Sequence, residues 1–237
     1  MKKKIVVIYS THLSHEEDSL FEERVKRTIG SHKYKLKRYE NKREYSLPEL
    51  YNRALSEIED KESTIAVFVH NDVLFNTKNW GNRLLMHFND RNNDYQIIGI
   101  AGTDTIEENG VWWLDETNQM KTKGMYGIVN HDNGLEEYTS TYSQEFRGVK
   151  PVVAIDGLFM AVDPFNIEEE FDLRFGMFHY YDIPFCISNY LAGCNIGVVT
   201  DIRVTHLSIG QVNGEWELNR LMFVNHFKDD LPLKLEN

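Results

Sequence analysis

His70, Asn71 and Asp72 follow directly on Ile65, Ala66, Val67, Phe68 and Val69, a continuous and partly β-branched apolar run. Such a run reads as a strand covered on both faces, where an imidazole, an amide and a carboxylate do not belong. The triplet is therefore the first place to look for chemistry. On an extended strand His70 and Asp72, two positions apart, point to the same side. A carboxylate so placed can hold a hard divalent cation, and the cation can bridge to the phosphates of a substrate. A capping or turn role for Asp72 is equally open on these residues alone.

The composition narrows what such a site could bind. With 26 basic and 37 acidic residues in 237 the chain carries a net charge of −11. It has no basic stripe with interleaved aromatics, which argues against a nucleic-acid polymer as partner. It also has no G-x-x-x-x-G-K-[ST] and no G-x-G-x-x-G after the first strand, so neither usual glycine-rich phosphate loop is present. A phosphorylated small molecule would need a cation to mediate.

The elements that must position these residues alternate in type. "KIVVIYS" reads as a strand and "SHEEDSLFEERVKRTIG" as a helix, with Ser14 and Glu17 as a capping box and Phe21, Val25 and Ile29 on one face. "KYKLKRYE" follows as a strand. "SLPELYNRALSEI" is a helix with a second capping box, Ser46 and Glu49. The "IAVFV" strand, a helix through Trp80, Leu84, Leu85 and Phe88, and the strand "YQIIGIAG" complete an α/β pattern. In such sheets ligands bind beyond the carboxyl ends of the strands. Those ends carry Tyr9–Ser10–Thr11, Glu40–Asn41 and the opening triplet.

Residues 102–150 read as loops and hairpins. "VVAIDGLFMAV" reads as one strand with a bulge or close approach at Asp156–Gly157. "YYDIPFCISNYLAG" is a helix ending at Gly193, "NIGVVT" a short strand, and a last helix uses Trp216, Leu221, Val224 and Phe227. The two cysteines, Cys186 and Cys194, would lie ~12 Å apart along a continuing helix, too far for a disulfide. No apolar run approaches the ~18 residues of a membrane span. The N-terminal apolar stretch is too short for a signal peptide. A cytoplasmic protein without a transmembrane segment is expected.

The motifs "YNRAL", "FVHNDV", "IIGIAGT" followed by "WW", "IDGLFMAV", "FHYYDIPFC" and "THLSIGQ" occur in an order that resembles GT-A glycosyltransferases. Their H-x-D form is similar to that of the bacterial family-2-like group that includes majastridin. The resemblance covers most of the chain and implies a single GT-A domain over 1–237. Its fold would be a Rossmann-like mixed sheet flanked by helices, with a nucleotide-binding half at 1–101 and a donor-sugar and acceptor half at 102–237. It implies a transferase that moves a hexose from a nucleotide-diphosphate donor, UDP most of all, to a glycan or other hydroxyl acceptor with inversion.

By the same resemblance Asp72 and His206 are ligands of Mn2+ or Mg2+, with His70, in the place of the usual aspartate, a further candidate. Imidazole among oxygen ligands suits Mn2+ somewhat better. Asp182 takes the place of an acidic pair and would be the general base, although a carboxylate there also suits a helix N-terminus. Tyr9, Ser10, Thr11, Glu40, Asn41, Asn52 and Asn71 are expected at the nucleoside, and Asp156 and Gly157 at the donor sugar. Trp112, Trp113 and His179 are expected on the acceptor or sugar side. Two alternatives stand beside this reading: a metal-dependent phosphoesterase built on His70, Asp72, Asp182 and His206, and a nucleotide-sugar-binding protein without turnover.

Overall fold

The computed structural model describes residues 3–31, 33–90, 94–208, 210 and 212–236. β1 (Lys4–Thr11), α1 (His15–Thr28), β2 (Tyr34–Glu40), α2 (Leu47–Ser56) and β3 (Thr64–Val69) follow the sequence reading closely. β1 lies parallel to both β2 and β3. Both capping boxes form: the Ser14 and Ser46 hydroxyls accept the N–H of Glu17 and Glu49, and those glutamates accept the cap N–H in return. Local chemistry thus fixes where α1 and α2 begin, and so where the loops after β1 and β2 end.

β4 (Val73–Phe75) and α3 (Trp80–Phe88) come next. They are followed by β5 (Ile97–Gly99), β6 (Ala101–Thr103), β7 (Thr105–Ile106), β8 (Met125–Asp132), β9 (Glu137–Thr141), β10 (Lys150–Val152), β11 (Ala154–Ile155) and β12 (Phe159–Val162). The chain ends with α4 (Asp182–Leu191), β13 (Ile196–Val198), β14 (Val204–His206), α5 (Gly214–His226) and β15 (Leu233–Lys234). Among the described residues the larger sheet has seven strands in the order β10-β13-β5-β12-β3-β1-β2. It is mixed, because β12 runs antiparallel to β3 and to β5. A second sheet runs β11-β6-β8-β14-β4, with β9 paired to β8.

Two segments expected to be single strands are each shared between the sheets. "YQIIGIAG" passes from β5 in the first sheet to β6 in the second, and "VVAIDGLFMAV" from β11 in the second to β12 in the first. Where β6 and β11 run side by side, a Cβ on Gly102 would lie 2.3 Å from the Ala154 carbonyl oxygen, so that approach needs glycine. The change of sheet is invisible in hydropathy because the chain is buried on both sides of it. One contiguous apolar core takes residues from both halves of the chain, from Ile5 to Phe227.

α5 differs from its expected stripe. Asn219 and Phe223 are its buried residues, while Leu221 is 51% exposed. The inward face follows Trp216, Asn219, Phe223 and Phe227, and Leu221 lies off that spacing. Both cysteines are free and buried, as expected. Among the described residues no helix is long and apolar enough to cross a membrane.

Candidate active site

The opening triplet is a turn between the two sheets. β3 ends at Val69, the His70 N–H donates to the Leu158 carbonyl at 3.2 Å, and the Val73 N–H closes the turn onto the His70 carbonyl at 3.2 Å. β4 then joins the second sheet antiparallel to β14, with His206 opposite Val73. The Leu207 N–H donates to the Asp72 carbonyl at 2.9 Å. Backbone pairing alone therefore brings residue 206 beside residues 70–72.

The side chains converge accordingly. His70, Asp72 and His206 each offer a ligand atom within 4.8 Å of the others. Nε2 of His206 is 3.4 Å from Asp72 Oδ1 and 3.1 Å from Ser208 Oγ. The first is an ion-pair distance and not a hydrogen bond, so Asp72 Oδ1 is buried with no donor. A buried anionic oxygen is costly unless a cation meets it, and here a protonated His206 or a bound metal ion can do so. Ligand atoms about one octahedral ion at bond lengths of about 2.1 Å stand ~3 to ~4.2 Å apart, a range that holds the 3.4 Å between His206 Nε2 and Asp72 Oδ1. The set of two imidazoles and a carboxylate is one that a divalent cation accepts.

Electrostatics agree with that geometry. Burial works to raise the Asp72 carboxyl, but the imidazoles of His206 and His70 and the Ser208 hydroxyl outweigh it and hold the group well below the usual carboxylate range. Burial, with His206 nearby, lowers His70. Burial also works to lower His206, yet the Asp72 carboxylate prevails and raises it.

On the other side of the turn after β11, Asp182 stands at the start of α4. Its Oδ2 accepts the Gly157 N–H at 2.7 Å and its Oδ1 the Ile183 N–H at 3.0 Å. Burial, and then the negative charge of Asp156, push its carboxyl up to about 7. Asp156 itself accepts the Leu158 N–H at 2.9 Å. Tyr181 is buried beside these groups. Its hydroxyl lies 2.7 Å from His70 Nε2 and 3.1 Å from the Gly157 carbonyl oxygen.

A cleft of about 670 Å³ runs from the triplet along the ends of β1 and β2. Ser10, Thr11, Asn41, Asn71 and Asp72 line it, together with His70 and Tyr51. Ser10 is half-buried and open to it. Several of its neighbours spend their polar atoms on the walls. Asn71 donates to Thr11 Oγ1 at 3.0 Å, Thr11 to Asp18 at 3.0 Å, and Asp18 pairs with Arg38 at 2.7 Å. Asn41 closes the turn after β2 by accepting from the backbone of Glu44 and Tyr45.

Other expected residues lie elsewhere. The Tyr9 side chain is fully buried beneath α1, against Phe21 and hydrogen-bonded to Glu22. Glu40 is exposed and pairs with Lys42 and Arg38. The Asn52 amide holds the backbone of Phe171 at 2.7 and 2.8 Å. Trp112 is 6% exposed, with its ring against Tyr142 at 5.5 Å, and Trp113 packs on Trp216 at 5.6 Å. Trp112 is thus buried by its neighbours, while Trp113 keeps part of its surface open. His179 is not among the hydrogen-bond partners of Asp182, whose oxygens take backbone N–H groups. Ile209 and Gln211 of the "THLSIGQ" motif lie outside the described residues.

Sequence reasoning missed the cleft's cations. Lys42 and Arg43 line it, Arg43 with φ of 64° and its guanidinium 5.9 Å from the Phe178 ring. Their signal was their place directly after Glu40–Asn41 at a strand end. His131 was also missed: it lies opposite His206 in the β8–β14 pairing, with ring centroids 5.9 Å apart.

A mixed α/β sheet thus carries a polar site at the carboxyl ends of its parallel strands, with a His-Asp-His cluster that could hold a metal. The chain belongs to the glycosyltransferase-like family, whose sequence pattern matches residues 19–227. Its fold is of GT-A type. The crystal structure of GalNAc-T7 with UDP, GalNAc and Mn2+ is similar with a TM-score of 0.57 and 11% identity, covering 96% of this chain and 49% of that one. The chain thus spans about half the length of that protein. No curated protein matches the chain.

Proposed function

We propose that this protein is a metal-dependent glycosyltransferase that moves a sugar from a nucleotide-diphosphate donor, UDP-linked, to a hydroxyl acceptor with inversion. The observation that carries the reading is the convergence of His70, Asp72 and His206 at the end of β3, with Asp72 Oδ1 buried and lacking a hydrogen-bond donor. Membership of the glycosyltransferase-like family supports it, as does likeness to a protein crystallised with UDP and Mn2+. In this reading the chain is one of the majastridin-like group, a proposal supported by the H-x-D form of its triplet. Residues 1–101 form its nucleotide half and 102–237 its sugar and acceptor half.

In this mechanism His70, Asp72 and His206 hold Mn2+ or Mg2+. The cation, when bound, neutralises charge on the departing diphosphate as a Lewis acid. Ser10, Thr11, Asn41 and the two cations Lys42 and Arg43 form the wall against which the nucleotide lies. Asp182 takes the proton of the acceptor hydroxyl as its oxygen bonds to the anomeric carbon. The bond from that carbon to the phosphate oxygen breaks, and the electron pair leaves with the nucleoside diphosphate. A carboxyl held near 7 by burial and Asp156 is well matched to that task at neutral pH. A phosphoesterase would need further carboxylates beside the ion. Among the described residues His70, Asp72 and His206 are the one group of three or more potential ligands so closely placed.

Calorimetry of UDP binding with Mn2+ and with EDTA tests the reading. Affinity is expected to fall at least ~10-fold on chelation, equivalent to ~1.4 kcal/mol. Unchanged affinity would remove the metal from the site. Incubation with UDP-sugars and Mn2+ should then release UDP slowly; tight binding with no product would identify a binding protein, and release of UMP with sugar phosphate a phosphoesterase.

A further inference from the structure

Tyr181 is 4% exposed, and its hydroxyl lies 2.7 Å from Nε2 of His70 and 3.1 Å from the carbonyl oxygen of Gly157, with the Tyr51 hydroxyl also beside it. A phenol has one proton to give, and a carbonyl can only accept. Donated to Gly157, that proton leaves the Tyr181 oxygen as an acceptor, and His70 must supply the proton between them from Nε2–H. With Tyr181 donating to His70 instead, two oxygens would face one another at 3.1 Å inside the protein with no proton between them, an unmade buried hydrogen bond. A neutral imidazole protonated on Nε2 keeps its lone pair on Nδ1.

We infer that Tyr181 is a positioning residue: by giving its proton to Gly157 it fixes His70 as the Nε2–H tautomer and leaves Nδ1 as the nitrogen available to a cation shared with Asp72 and His206. The metal half of this statement rests on the reading of His70 as a ligand; the tautomer half does not. A ligand imidazole whose second nitrogen is anchored in this way is oriented before the ion arrives. The contact exists because residue 157 has no side chain, since a Cβ there would lie 2.3 Å from the Tyr181 oxygen. Asp182 holds the N–H of the same glycine. Gly157 thus ties the orientation of His70 to that of Asp182.

The test is nitrogen-15 NMR of the histidine rings in metal-free protein at about pH 8, where a free imidazole is neutral. The His70 signals are identified by their loss in His70→Gln. The expected result is Nε2–H in the wild type. In Tyr181→Phe, which keeps the ring and drops the hydroxyl, the tautomers mix and Mn2+ affinity by calorimetry falls about 10- to 100-fold. An Nδ1–H tautomer in the wild type would overturn the inference, as would a Tyr181→Phe variant with the parent tautomer and affinity. Should that variant fail to fold, the wild-type tautomer decides alone. A wild type that binds no Mn2+ yet shows Nε2–H would instead overturn the metal reading and leave the role of Tyr181 in holding His70 standing.

Discussion

Asp182 reaches from the first turn of α4 to the Gly157 N–H, 2.7 Å away, and so stands beside Asp156, whose charge helps to raise its carboxyl to about 7. In the unfolded chain the same carboxyl titrates near ~3.9. The folded protein therefore binds this proton more tightly than the unfolded one. That contribution is complete below ~4 and is lost as pH rises through about 7. In metal-free protein the stability of Asp182→Asn minus that of the wild type should grow between ~4 and ~7, by at most ~4 kcal/mol at ~1.36 kcal/mol per unit. Urea denaturation across that range checks it, and a difference that does not change with pH would refute the raised carboxyl.

The same residue separates binding from chemistry. Asp182→Asn should keep UDP-sugar affinity and lower the transfer rate by ~10²- to 10⁴-fold, the weight of a positioned base. Wild-type rate should rise with pH, with a midpoint moved below about 7 by a bound cation. Full activity in the variant would direct attention to Asp156.

Asp72→Ala removes a buried oxygen that has no donor, so the fold should persist while metal-dependent UDP binding disappears. Mn2+ at a hundred times its dissociation constant should stabilise the wild type by ~2.7 kcal/mol. That increment should vanish in Asp72→Ala and shrink in His206→Ala, as read by melting with and without Mn2+. A variant that keeps the full increment has not lost a ligand.

Gly157→Ala tests how tightly the turn is gripped. The new methyl would meet the Tyr181 oxygen at 2.3 Å and its Cζ at 2.6 Å, so the whole ring must move. Overpacking of this kind costs ~1 to 3 kcal/mol. Mn2+ affinity should fall with it, because the ring that moves also holds His70. Normal stability and affinity would show that the turn yields freely.

Replacing Lys42 and Arg43 together with alanine removes both cations named on the cleft wall. UDP affinity should drop ~10-fold at low salt and by less at high salt, since exposed charges are screened beyond ~10 Å at 0.1 M. Equal affinity at low salt would place the nucleotide away from the β2 end of the cleft.

What the sequence made legible was local. Ser14 with Glu17 and Ser46 with Glu49 determine helix starts through contacts three residues apart, and the first three strands declare themselves by apolar runs. The polar triplet at residue 70 stood out because it interrupts such a run. What stayed hidden depends on long-range placement. Nothing near Ile100 marks a change of sheet, since both flanks are equally apolar, and the interruption at Asp156–Gly157 reads as a bulge within one strand. Nothing near Tyr181 reveals that its hydroxyl lies beside His70, 111 residues earlier. Trp112 and Trp113 suggested a sugar platform by residue type, and their packing partners, Tyr142 and Trp216, are remote in sequence. Leu221 was assigned inward by hydropathy, which carries no information about which face of α5 the core reaches.

The division of the ligand candidates between the sheets has a mechanical consequence. His70 leaves the end of β3 in the larger sheet, while His206 ends β14 in the smaller one. A hinge motion between the sheets would appear first as a change in the gap between these two rings, now 5.7 Å between centroids. An ion bound by both would act as a rivet through two plates, so that nucleotide capture and the stiffness of the whole molecule rise and fall together.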